Sequence, residues 1–84
     1  MAKLTEEDII LKNAIARRIE DIRISTGMTQ SQFAKEHAID RQAISRWEDV
    51  EGERGITIYT IKRFCAMVGI SLKDFFDSSL FDHK

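Results

Sequence analysis

The chain has 84 residues, room for one compact core and too few for two domains, and 43% of them are apolar, so it can fold and is not compositionally disordered. Its formal charge of −1 is unevenly placed: Glu48, Asp49, Glu51 and Glu53 against Arg54 leave −3 over residues 48–55, while the segments on either side are neutral or +1. One cysteine, Cys65, excludes an intrachain disulfide and a cysteine-cluster zinc site; the absence of Pro and a count of four Gly argue for helices joined by short turns.

In chain order, Thr5 with Asp8 three residues on predicts a capping box and a helix beginning near Glu6. Leu11, Ile15, Ile19 and Ile22 draw an apolar stripe down that helix, and Gly27 supplies its stop. Thr29 is the N-cap of a short second helix, Gln30 to His37, with Phe33 and Ala34 inward. Asp40 caps a third, from Arg41 to about Asp49, with Ala43, Ile44 and Trp47 on the buried face.

The two glycines and two acids from Val50 to Gly55 mark a loop, and Thr57 opens a fourth helix whose stripe is Ile58, Ile61, Phe64, Cys65 and Val68, ended by Gly69. Ser71 with Asp74 predicts a second capping box and a short fifth helix holding Leu72, Phe75 and Phe76; residues 77–84 read as a tail in which Leu80 and Phe81 either fold back or meet another chain. Met1 to Asp8 is charged and no apolar run approaches membrane length, so neither a signal peptide nor a membrane span is expected, and a cytoplasmic setting is. Trp47, Phe64 and Met67 at helical spacing belong to a core, and His37 and His83 are isolated from any nucleophile or metal set, so neither a cofactor nor catalysis is expected.

Met28-Thr29-Gln30-Ser31-Gln32-Phe33-Ala34, then Ile39 to Ile44, then Ser45-Arg46-Trp47-Glu48, and finally TIYTIKRFCAMVGISLKDFF from Thr57 to Phe76, together resemble the phage-repressor, Cro and XRE-type helix-turn-helix family over about residues 9–76. The resemblance implies an all-α, five-helix domain spanning 1–84, with its helix-turn-helix unit at about 29–49, that binds double-stranded DNA and regulates transcription, more often by repression. A major groove about 12 Å wide admits one helix, so the third would enter it while the second braces it across the backbone. Subtracting its buried residues leaves Arg41, Gln42, Ser45 and Arg46 outward, and the resemblance makes these the base readers, Arg suiting guanine and Gln suiting adenine.

By the same resemblance Gln30 touches phosphate and Arg23 pairs with Glu48 to hold the architecture; Arg17, Arg18 and Arg54 are further candidate phosphate contacts, with local pairing to Glu20 and Asp21 as the alternative for Arg17 and Arg18. A dimer formed near the fifth helix would bring Phe75, Phe76, Leu80 or Phe81 to its axis and read a near-palindromic operator. Three departures stand out: Ala38 where the family's turn commonly has Gly, a long acidic stretch after Glu48, and Ile56 where a Pro often precedes the fourth helix. The alternative to base reading is an ordinary solvated helix face. The rival function is a protein-interaction module, such as an antitoxin that neutralises a toxin by contact, using the acidic loop and the Phe-rich tail.

Overall fold

The computed structural model describes residues 4–52 and 55–82, so Glu53, Arg54 and His83 lie outside the described residues. Five α-helices follow one another: α1 (Glu6–Ser25), α2 (Gln30–Glu36), α3 (Arg41–Trp47), α4 (Ile58–Val68) and α5 (Leu72–Phe76), and a 3₁₀ turn, η1 (Ser79–Phe81), closes the series. No strand occurs among the described residues, so the all-α expectation holds.

Each α-helix begins where a short polar side chain can accept a backbone N–H that the helix itself leaves unpaired. Thr5 and Asp8 form the full reciprocal box, with Asp8 N–H donating to the Thr5 hydroxyl at 3.1 Å and Thr5 N–H to the Asp8 carboxylate at 3.0 Å. Thr29 makes a second full box with Gln32. Asp40 and Thr57 cap α3 and α4, and Ser71 accepts the Asp74 N–H at 3.0 Å, one half of the expected box. α2 ends one residue earlier than expected, with His37 as its cap.

That end is where the chain turns toward α3. Ile39 N–H donates to Ala34 C=O at 2.9 Å and Ala38 N–H to Lys35 C=O at 3.3 Å, the paired bonds of a Schellman motif, which requires a left-handed residue between them. Ala38 fills that place with φ of 53°, a conformation that costs an L-residue with a Cβ about 1–2 kcal/mol. Glycine does the same work without strain at Gly69, with φ of 75°, where Ile70 N–H reaches back to Cys65 C=O.

The core gathers Ile19 of α1, Phe33 and Ala34 of α2, Ile44 of α3, Ile61, Phe64 and Cys65 of α4, and Phe75 of α5. Phenyl rings run through it, Phe33 to Phe64 at 5.7 Å and Phe64 to Phe75 at 6.2 Å, with the half-buried Trp47 indole set edge-on to Phe64 at 6.4 Å. Burial also lifts the Cys65 thiol above its ordinary pKa, so it serves as a small apolar side chain.

Two expected core positions are instead exposed: Leu11 at 48% and Ile58 at 47%. Both lie in the N-terminal half of their helices, where the apolar stripe outruns the elements that cover it. The described part of the tail, residues 77–82, does not stay loose. η1 lies against α1, and Phe81 stacks on Phe75 and Phe76 at 6.2 and 5.0 Å, so the fold-back alternative is the one adopted.

Candidate nucleic-acid interface

α3 has two faces of opposite character. Ile44 and Glu48 are buried and Ala43 and Trp47 half-buried, whereas Arg41, Gln42, Ser45 and Arg46 are all exposed. At about 100° per residue those four occupy one arc of roughly 140°, so they form a single continuous surface with two guanidinium groups, an amide and a hydroxyl. The Asp40 carboxylate accepts the Gln42 N–H at 2.9 Å, which fixes where the helix starts and therefore which residues fall on that arc.

A polar clamp sets the angle of this helix against the rest. The Arg23 guanidinium, from the last turn of α1, grips the Glu48 carboxylate through two bonds, Nε to Oε2 at 2.6 Å and Nη2 to Oε1 at 3.1 Å, and donates a third from Nη1 to the Met28 carbonyl at 2.7 Å. Gln30, the first residue of α2, adds its amide Nε2 to Glu48 Oε1 at 3.0 Å. One carboxylate at the end of α3 thus ties α1, α2 and the turn between them. Arg23 and Glu48 are each only 8% exposed, and the Arg23 pKa is raised, first by its hydrogen bond to Glu48 and against the opposing effect of burial. A two-bond fork of this kind fixes orientation as well as distance.

The expected phosphate contacts fare unevenly. The Gln30 side chain is held inward by Glu48, which leaves a single amide hydrogen for an outside acceptor. Arg18 is turned the other way altogether: its Nε donates to Phe75 C=O at 2.7 Å and its Nη2 to Asp74 C=O at 2.8 Å, so it caps the last turn of α5. It is a structural residue. Arg17 is exposed, but at about 100° per residue it points roughly 120–140° away from Lys12 and Arg23, the α1 residues that reach Val50 and Glu48 at the end of α3. Arg54 lies outside the described residues.

Of the four expected dimer contacts, one needs correcting. Phe75 is fully buried and cannot touch a second chain in this conformation, while Phe76, Leu80 and Phe81 are half-buried, Phe76 and Phe81 against each other and Phe75. The acidic stretch is anchored beside α1, where Lys12 Nζ donates to the Val50 carbonyl at 3.1 Å.

Comparison with family models, with curated proteins and with solved structures finds no match to this chain. The case for an interface therefore stands on α3 and its clamp. Sequence reasoning missed the contribution of Gln30 to the clamp and the capping role of Arg18. Only the first had a local signal, a long polar side chain on the turn next to Arg23.

Proposed function

We propose that the protein binds double-stranded DNA sequence-specifically and regulates transcription, acting as a repressor that occupies its operator and keeps polymerase off. The observation that carries this reading is the α3 arc of Arg41, Gln42, Ser45 and Arg46, wholly exposed on a helix whose opposite side is fixed by Ile44 and the Arg23–Glu48 pair. Such a face can be offered to a groove without unfolding anything, and its groups suit base edges: arginine for guanine O6 and N7, glutamine for adenine N6 and N7. The resemblance in the sequence points the same way. On this reading the protein works in the cytoplasm, needs no cofactor, and engages near-palindromic DNA as two copies with half-sites about 10 bp apart centre to centre.

The test is selection of bound duplexes from a random pool by the purified chain, repeated at higher salt. Recovery of an inverted repeat, with affinity that falls steeply as salt rises, is expected. Arg41→Ala and Gln42→Ala should keep the fold by circular dichroism and relax preference at one or two base pairs by about 1–3 kcal/mol each. No enrichment from folded protein would transfer the case to a protein-interaction module.

A further inference from the structure

Asp40 stands at the end of α3 that a groove-reading helix presents to base edges, and its carboxylate is only half used. The Oδ1 atom accepts the Gln42 N–H at 2.9 Å. Among the described residues no donor meets Oδ2, the side chain is exposed, and the only ion pair is that of Arg23 with Glu48. Asp40 is also the only acid between Glu36 and Glu48, and it directly precedes Arg41 and Gln42.

The position of this carboxylate is fixed from both sides. Upstream, Ile39 packs half-buried against the core and donates its N–H to Ala34 C=O at 2.9 Å. Downstream, the Asp40 carbonyl accepts the Ala43 N–H at 2.9 Å while its side chain holds the Gln42 N–H. With Oδ1 engaged by the helix, Oδ2 is the atom left for a donor outside the chain.

Capping alone does not ask for a charge, because Asn and Ser cap a helix about as well as Asp. A negative charge on a surface that approaches phosphates is unfavourable unless a donor meets it. An ionised carboxylate can only accept hydrogen bonds. In the major groove cytosine is the one base that offers a donor, its N4 amino group, with no acceptor beside it: adenine sets N7 next to its amino group, guanine shows O6 and N7, and thymine shows O4.

We infer that Asp40 is a specificity-determining residue. Resting on the DNA-binding reading above, Oδ2 accepts a hydrogen bond from the N4 amino group of a cytosine next to the bases met by Arg41 and Gln42. Its charge turns away the acceptor edges of guanine and thymine at that position.

The variant that separates this role from capping is Asp40→Asn. Its carbonyl can keep the Gln42 N–H, and its amide puts two donor hydrogens where Oδ2 stands. Asp40→Ser is the second variant, since Ser also caps but carries no second polar atom. Selection from a random duplex pool is run with the full chain and both variants, each shown folded by circular dichroism.

The wild-type half-site should hold cytosine at the position adjoining those that Arg41→Ala and Gln42→Ala relax. Asp40→Asn should exchange that cytosine for guanine or thymine, a change in preference of about tenfold, and Asp40→Ser should lose the preference without gaining another. The other selected positions should stay as they are. A wild-type site without that cytosine, or variants that select the wild-type site and bind every duplex more tightly, would overturn the inference while leaving DNA recognition in place; the carboxylate would then face phosphate or solvent. A folded wild type that enriches no site would overturn both.

Discussion

Where α1, α2 and α3 meet, one carboxylate collects three hydrogen bonds from Arg23 and Gln30; where α4, α5 and η1 meet, the rings of Phe64, Phe75, Phe76 and Phe81 pack on one another. The difference separates stability from orientation. Phenyl burial is large but weakly directional, whereas a two-bond fork on Glu48 is directional and gives back in desolvation much of what it gains in attraction. The aromatic end should therefore set how stable the chain is, and the polar corner how α3 is presented.

The largest effect is expected from Phe64→Ala, which empties the middle of the aromatic run at a cost of about 3–5 kcal/mol, much of the stability of a domain this size. Urea unfolding should show little folded baseline. Glu48→Ala should cost a similar amount, about 3–5 kcal/mol, because it strands a nearly buried guanidinium. The comparison is sharpened by pairing it with Arg23: the double variant Arg23→Met with Glu48→Met should recover most of the loss in the same denaturation series. If the double variant is as unstable as the single, the corner is stabilising in its own right and the contrast fails.

Arg18→Ala comes next, at about 1–2 kcal/mol, since it removes two donors from the last carbonyls of α5. Hydrogen exchange should quicken in α5 and η1 while α2 and α3 stay protected. The smallest effect, and the only gain, belongs to Ala38→Gly. Relief of left-handed strain, partly offset by the extra freedom of glycine in the unfolded chain, should leave about 0.5 kcal/mol, read as a raised urea midpoint.

Much of this architecture was legible because its signals are local. Thr5, Thr29, Asp40, Thr57 and Ser71 each cap a helix where the sequence places them, since a cap needs only its own side chain and an amide two or three residues on. The exposed arc of α3 follows from a period counted along seven residues. What escaped depends on distant partners. Arg18 meets carbonyls 56 and 57 residues later, and Lys12 meets a carbonyl 38 residues later, distances over which periodicity says nothing. Leu11 and Ile58 escaped for a related reason: a stripe tells which side of a helix is apolar, but not how far along it the neighbours extend.

The docking of η1 on α1 bears on how the chain is made. A ribosome releases α1 first, yet the carbonyls that Arg18 caps and the ring of Phe81 emerge some sixty residues afterwards. Until then Phe64 lacks the ring of Phe75 against one side, and the nascent segment has its stripe but no cover. Folding during synthesis should accordingly be a late, nearly all-at-once event, and a translational pause placed before residue 75 would hold the most apolar part of the molecule open to chaperones.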